Sequence, residues 1–147
     1  MSRYWYVLRR LLLIALFVVP ALACEFSFST ARISDAVMAE DVQGDNFEPV
    51  GVTDTYAADQ PVFHAVVSVA NAPGDTMLKV VWIAVDVGDA APPNTEIDRT
   101  EVAVEGSRNV DFTLTSDSGQ WPPGTYKVDI YLNDELDRTL NFSVTAP

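Results

Sequence analysis

Apolar residues alternate with polar ones along nearly the whole chain after residue 24, and this period of two restricts the fold to one built from β-strands. Residues 62–70 and 77–87 are nearly continuous apolar runs, which indicates two strands at the centre of the fold. The segment NAPGD between them, residues 71–75, predicts a turn. Periodicity alone leaves a short buried helix open for either run.

Four more strands are predicted in the second half of the chain. The first of them slips in phase near Thr100, which indicates a bulge or a position at a sheet edge. The last two are separated by only a few residues, Asn133-Asp134-Glu135, and therefore predict a hairpin. The four segments are residues 95–106, 109–116, 125–133 and 136–145.

Alternation also assigns a face to each residue of these strands. Lys127, Asp129 and Tyr131 are predicted to point outward from the penultimate strand. The apolar residues predicted to point inward from the four strands are Ile97, Val102, Val104, Val110, Phe112, Leu114, Tyr126, Val128, Ile130, Leu132, Leu136, Leu140, Phe142 and Val144.

The front of this region is less regular. Residues 25–39 predict a first strand that kinks, with Phe26 and Phe28 on one face before the kink. Residues 40–60 are acidic and rich in turn formers, and we expect an ordered loop or a short edge strand there. The expected apolar anchors of that segment are Phe47, Val50, Val52 and Tyr56.

The pattern predicts an all-β fold, an immunoglobulin-like antiparallel β-sandwich of about seven to eight strands, with an open barrel as the main alternative. Trp82 lies in the middle of a central strand, and Tyr126 opens the penultimate strand where a tyrosine corner can form. Over about residues 60–145 the chain resembles the immunoglobulin-like modules of bacterial surface lipoproteins. The resemblance implies a core position for Trp82. No cysteine pair flanks Trp82, so apolar packing must replace an inter-sheet disulfide.

The first 23 residues predict a secretory signal helix. Arg3, Arg9 and Arg10 precede residues 11–23, which carry no charge. Thirteen residues of helix span about 20 Å, which is short of a hydrocarbon core of about 30 Å. A permanent membrane span is therefore disfavoured.

Cys24 is the only cysteine, and it follows Ala21-Leu22-Ala23 directly. This stretch resembles the lipobox of bacterial lipoproteins, which implies cleavage before Cys24 and lipid attachment to its sulfur. Ordinary signal peptidase cleavage and an uncleaved anchor are the alternatives. A lone cysteine in an exported chain has no internal disulfide partner, and lipidation explains its presence. In a Gram-negative cell, the Glu25 that follows is compatible with transfer to the outer membrane.

Cleavage leaves residues 24–147 as one domain with a strongly acidic surface. It removes three of the nine basic residues and none of the 21 acidic ones, so the formal charge becomes 6 minus 21, or −15. Such a surface repels nucleic acid and anionic lipid head groups. It is consistent with basic partners, a salty habitat or simple solubility.

No catalytic motif is present, and we predict neither an enzyme nor a cofactor. His64, the only histidine, lies within a strand and is expected to form a hydrogen bond at a sheet face. Nothing marks two carboxylates as the pair that glycoside cleavage needs. A metal site is not predicted, although one acidic segment holds a weak calcium candidate without EF-hand spacing, formed by Asp41, Asp45, Glu48 and Asp54.

Two aromatic residues are candidates for a recognition face, because aromatic side chains are favoured at interface centres. Trp121 precedes two prolines at a loop apex, and Tyr131 points away from the predicted core. For Trp121 the alternative is a cap at the bottom of the sandwich. These observations favour a non-catalytic, lipid-anchored module outside the cytoplasm that binds an envelope protein or a surface polymer. The alternatives are a structural subunit of a surface assembly, which would self-associate through an unprotected edge strand, and a carboxylate-based hydrolase.

Overall fold

The computed structural model of the protein describes residues 30–147, so the predicted signal helix, Phe26, Phe28 and Cys24 lie outside the described residues. Among residues 30–147, no helix is long and apolar enough to cross a membrane. The described part contains seven strands and a three-residue 3₁₀ helix, Gly88–Ala90. The strands are β1 (Arg32–Gln43), β2 (Glu48–Val52), β3 (Thr55–Ala57), β4 (Val62–Asp86), β5 (Thr95–Thr115), β6 (Gly124–Leu132) and β7 (Glu135–Thr145).

β4 and β5 are long because each passes through both layers of a β-sandwich. Layer one contains β1, residues 62–70 of β4 and residues 106–115 of β5, with β2 beyond β1. Layer two contains residues 95–104 of β5, residues 76–86 of β4, β6, β7 and β3. All pairings are antiparallel except the short one between β3 and β7. The predicted antiparallel sandwich is therefore confirmed, with one parallel pair added.

The segment NAPGD does not reverse the chain, and the turn predicted for it is wrong. Residues 71–75 lie inside β4, where the ladder with β5 shifts register on both sides of Ala72. Asn71 adopts a positive φ of 55°, and its amide donates to the Ser107 hydroxyl of β5. Because β4 keeps β5 as its partner on both sides, the turn-forming residues bend the strand from one layer into the other. The two apolar runs are central strands, as predicted, but they belong to one element.

The acidic segment 40–60 is ordered, in agreement with the prediction. The end of β1 pairs with β2 across the turn between Gln43 and Glu48, and β3 joins the edge of layer two. Of the expected apolar anchors, Tyr56 is buried and its hydroxyl donates to the Ala39 carbonyl at 2.9 Å. The other three expected anchors are wrong, because they lie on a two-stranded hairpin that leaves them exposed: Phe47, Val50 and Val52.

The hairpin of β6 and β7 forms as predicted. Its two-residue turn, Asn133 and Asp134, has positive φ values of 50° and 65°, which match the type I′ turn that suits twisted strands. The register shifts between Ile130 and Tyr131, so Leu136 pairs with outward-facing Tyr131 and is 51% exposed. The inward position predicted for Leu136 is therefore wrong.

The predicted faces hold for most of the remaining strand residues. Val104, Phe112, Leu114, Tyr126, Val128, Ile130, Phe142 and Val144 are buried. Val102, Val110, Leu132 and Leu140 are partly buried against the core. Ile97 is exposed because it lies on the outermost strand of layer two, where the ladder shifts opposite Trp82 and Ile83.

Aromatic rings join the two layers at the centre of the core. The ring of Phe63, in layer one, lies 5.1 Å from that of Phe142 and 6.4 Å from that of Tyr126, both in layer two. Trp82 is fully buried, as predicted, and its ring meets Phe142 edge-on at 6.2 Å. Its indole nitrogen is the one buried side-chain polar atom without a hydrogen-bond partner in the described part of the chain. The packing of these rings takes the place of an inter-sheet disulfide.

Tyr126 forms the tyrosine corner that the sequence predicts. Its hydroxyl donates to the carbonyl oxygen of Pro122, four residues upstream, and its ring stacks on Phe142 at 5.3 Å. Burial raises the pKa of Tyr126 above its ordinary value. The bond fixes the loop before β6 against the strand that follows it.

Replacing Trp82 with alanine is expected to lower the free energy of unfolding by about 3–5 kcal/mol, because it empties a fully buried site between the layers. Leu136→Ala is the control, and it should change stability by less than about 0.5 kcal/mol since the side chain is exposed. Urea unfolding followed by fluorescence measures both. Equal effects of the two substitutions would contradict the core position of Trp82.

The protein is also expected to lose stability at alkaline pH. Burial, together with the nearby charges of Glu40 and Asp54, raises the pKa of Tyr56. In the unfolded chain tyrosine loses its proton near pH 10, whereas folded Tyr56 keeps it. The contribution of Tyr56 to the free energy of unfolding is therefore fully present below pH 10 and is lost as pH rises further. We expect a loss of about 1 kcal/mol between pH 8 and pH 11 from Tyr56 alone.

Tyr56→Phe separates this effect from other alkaline effects. At pH 8 it should cost about 1 kcal/mol, since the hydrogen bond to Ala39 is lost. Between pH 8 and pH 11 its decline should be shallower than that of the unsubstituted protein, as urea titrations at both pH values will measure. An unchanged decline would show that Tyr56 ionises as readily in the folded state as in the unfolded one.

Candidate interaction surface

Trp121 does not lie on an exposed face, so a recognition role for it is wrong, and it has instead the capping position that the sequence left as the alternative. Its side chain is only 6% exposed, and its ring stacks on Phe63 with 4.4 Å between ring centroids. Its indole nitrogen donates to the Gln60 carbonyl at 2.9 Å, and its backbone amide donates to the Ala58 carbonyl at 2.8 Å. The residue closes the end of the sandwich where β4 begins, because burial of a large apolar ring outweighs the polar character of its loop.

The four residues of the weak calcium candidate are not brought together. Among residues 30–147, no group of three or more histidine, cysteine or carboxylate side chains is placed to hold a metal ion. Asp41 accepts a hydrogen bond from the Val42 amide, and Asp54 bonds to the Thr55 hydroxyl. Glu48 accepts from the Asn46 side chain. These three carboxylates thus bond to near neighbours in sequence and not to a shared site.

His64 lies on the outer face of layer one and forms the hydrogen bond expected of a strand histidine. Its Nδ1 atom is 2.9 Å from Oδ2 and 3.1 Å from Oδ1 of Asp111 on β5. The two side chains are only 13% and 8% exposed. Close by, Asn109 of β5 donates to the carbonyl of Asn46, so the tip of the hairpin of β1 and β2 touches this face.

Tyr131 lies on the outer face of layer two, as predicted. The ammonium group of Lys79 on β4 stands 4.7 Å from the centre of its ring, within range of a cation–π interaction. Exposed Leu136 is its cross-strand partner on β7. An aromatic ring, a cation and an exposed aliphatic side chain therefore meet at one end of this face.

The middle of the same face has an apolar floor. Val81 and Ile83 of β4 point outward between β5 and β6, and Val81 is buried by its neighbours. Beside Val81, Asp129 faces outward as predicted but is also buried. It accepts a hydrogen bond from the Thr139 hydroxyl at 2.7 Å and forms an ion pair with Lys127 at 3.0 Å. The buried carboxylate is thus fully engaged within the sheet face.

Ion pairs surround this floor. Lys79 binds Asp134 at 2.8 Å, and this hydrogen bond raises the pKa of the lysine. Arg99 binds Glu96 through two hydrogen bonds of 2.7 and 2.8 Å, which lower the pKa of the glutamate and raise that of the arginine. Three of the six basic residues in the described part of the chain therefore lie on this face: Lys79, Arg99 and Lys127.

A shallow groove of about 340 Å³ continues the face toward its other end. It is open to solvent. The start of β3 and the residue before it line one part of it, and the end of β4, the start of β6 and the end of β7 line the rest. Hydroxyl, amide and carboxylate groups line it beside two core aromatic rings. The lining residues are Asp54, Thr55, Val85, Thr125, Tyr126, Asn141, Phe142 and Ser143.

The sequence correctly predicted that Tyr131 points outward, but it did not identify the residues that lie beside it. Alternation identifies the face of a residue within its own strand, whereas Lys79 and Leu136 become its neighbours only through the register between strands. The Asn133-Asp134 turn was the available signal, since a two-residue turn fixes the hairpin register. The bulge beside Ile130 has no comparable signal in the sequence.

No family model matches the chain, and no curated protein matches it by sequence. Among solved structures, the chain is similar to an immunoglobulin-like protein from Pseudomonas aeruginosa. The similarity covers 80% of this chain and 98% of that one, with a TM-score of 0.55 and 18% sequence identity. At this level of identity the similarity shows the fold alone.

Two larger enzymes contain a region of similar shape. An alkylpurine DNA glycosylase from Pseudomonas fluorescens matches with a TM-score of 0.49 and 10% identity over 80% of this chain and 31% of its own. A β-glucosidase from Listeria innocua matches with a TM-score of 0.49 and 14% identity over 82% of this chain and 16% of its own. Neither similarity is close enough to bear on function. The strand order and the Pseudomonas aeruginosa structure together establish that the described domain is an immunoglobulin-like β-sandwich.

Proposed function

We propose that this protein is a non-catalytic, lipid-anchored interaction module on the extracytoplasmic side of a bacterial envelope. The observation that carries the proposal is the outer face of layer two, where an apolar floor, an aromatic ring and satisfied ion pairs lie side by side without a covering element among residues 30–147. An apolar centre with a polar rim is the arrangement of a protein-binding surface.

The proposed anchor is Cys24, which would carry lipid and hold the domain close to the membrane. The described fold starts at Thr30, whose hydroxyl donates to the carbonyl of Asn71 at the bend of β4. Six residues of extended chain reach at most about 20 Å. The end of the sandwich that contains the β4 bend would therefore face the membrane, and the groove, which lies at the opposite end, would point away from it.

The proposed partner is another envelope protein, with a surface polymer as the alternative. Tyr131 and Leu136 offer the apolar contacts that concentrate binding energy at protein interfaces. The groove, with its hydroxyl and amide groups, offers hydrogen bonds of the kind that a polymer rich in hydroxyl groups can use. The acidic surface disfavours nucleic acid and anionic lipid head groups as partners.

The arrangement of carboxylates supports binding rather than hydrolysis. Glycoside cleavage requires two carboxyl groups that flank one bond. Asp54 is the one carboxylate that lines the groove. Asp129, on the adjoining face, is buried and is already engaged by a hydrogen bond from Thr139 and an ion pair with Lys127. A carboxylate-based hydrolase would need a second acid that the groove does not contain among its described residues.

The anchor is tested by labelling growing cells that express the full chain with radioactive palmitate. The unsubstituted protein should incorporate label and fractionate with membranes, whereas Cys24→Ser should do neither, because the acceptor sulfur is lost. The amino terminus of the labelled protein, determined by mass spectrometry, should be residue 24. Label that persists in Cys24→Ser, or a protein that retains residues 1–23, would contradict the proposed anchor.

The interaction face is tested by crosslinking in intact cells, followed by mass spectrometry of the crosslinked species. The double variant Tyr131→Ser, Leu136→Ser should lose its crosslinked partner by roughly tenfold or more, since loss of an aromatic anchor together with its apolar neighbour costs about 1–2 kcal/mol or more at an interface. The control is Val52→Ser, which removes an exposed apolar side chain from a different surface. Equal recovery of the partner with both proteins would contradict the assignment of the face.

A further inference from the structure

The two layers end in unpaired strand edges, and most of these edges carry features that prevent pairing with another chain. β2 contains Pro49, which has no amide hydrogen, and Gly51, which has a positive φ of 65°. β3 has only three residues. Residues 95–105 of β5 present a dense row of exposed charges, formed by Glu96, Asp98, Arg99, Glu101 and Glu105.

Residues 109–115 of β5, with the sequence NVDFTLT, lack all these protections. The segment contains neither proline nor glycine and is rich in residues that favour strands. Its one charged residue, Asp111, is 8% exposed and is paired with His64 across the sheet. Within the described part of the chain, β4 is the only strand that pairs with this segment, so its other edge is free.

We propose that residues 109–115 form a dimer interface by antiparallel pairing with the same segment of a second copy of this chain. The register centred on Phe112 places Val110 opposite the partner's Leu114, with both in the core-facing row. It places Asp111 opposite the partner's Thr113 in the outer row. No like charges then lie opposite each other, and layer one becomes continuous across the two copies.

A second feature beside this edge fits the same occupant. The carbonyl of Asn46 accepts a hydrogen bond from Asn109, the first residue of the segment. Phe47, the next residue, is 43% exposed although it is a large apolar side chain. Because its neighbour Asn46 is bonded to the start of the segment, Phe47 would be available to pack on the outer face of the second copy.

Overall charge opposes this association and gives it a salt dependence. Two copies that each carry a net charge of −12, or −15 after cleavage before Cys24, repel one another, while the paired segment itself contributes no unpaired charge. Added salt screens the repulsion between surface charges. The dimer is therefore expected to become tighter as salt concentration rises, whereas an interface built from opposite charges would weaken.

The test is sedimentation equilibrium of the full chain in a mild detergent, with Cys24→Ser protein as the lipid-free form. Thr113→Glu would place a carboxylate opposite the partner's Asp111 twice per dimer, and it should weaken dimerisation by roughly tenfold. Thr113→Lys is the matched control, since the same position then holds a charge that Asp111 attracts. Its dimer should be at least as stable as that of the unsubstituted protein.

The outcomes separate this proposal from the anchor and from the interaction face. A dimer in both the lipidated and the Cys24→Ser protein, with the two Thr113 substitutions acting in opposite directions, supports the β5 edge. A monomer at every concentration, a dimer that dissociates as salt is added, or equal effects of the two substitutions would overturn it. None of these results depends on whether Cys24 carries lipid or whether Tyr131 binds a partner.

Discussion

The contact between Phe63 and Phe142 holds the two layers of this domain together. Each ring also touches several other aromatic side chains. The contact of Phe63 with Phe142 joins β4 to β7, two strands that do not pair with each other. Antibody domains, which have the same kind of fold, fix their layers with a disulfide. Here many non-covalent contacts between buried aromatic rings, and no covalent bond, hold the layers together. The outer faces can therefore vary in sequence without a change in how the layers meet.

The interaction face and the free edge both follow from this layered arrangement. Inward positions are taken by the core, so Tyr131, Lys79 and Leu136 gather on the opposite surface of layer two. Because β5 is the outermost strand of both layers, it exposes one long edge whose two halves differ in chemistry. The half in layer two is charged, and the half in layer one is nearly neutral. The fold thus presents two surfaces of distinct chemistry, one for the proposed partner and one for the proposed second copy.

Much of the fold was predictable, because the period of two records which side chains are buried. Trp82 and Tyr126 were placed correctly because their positions within strands constrain them. The bend at residues 71–75 was not predictable, since the same residues favour a reversal and a change of layer. For Trp121 the sequence left a recognition role and a capping role open, because its loop is polar while its ring is apolar; the structure shows the ring buried against Phe63. Of the candidate site, alternation located Tyr131, but its neighbours depend on a register that the sequence does not state.

The sharing of β4 and β5 by both layers has a consequence for how the chain reaches its native state. These two strands are consecutive, and only residues 87–94 separate them. Their ladder can grow from that connection outward, and each added pair closes a short additional loop. In sandwiches whose first strand pairs are distant in sequence, long loops must close early, and the entropy lost in closing them lowers the folding rate. A template for both layers can therefore form from one contiguous stretch of sequence before the terminal strands arrive.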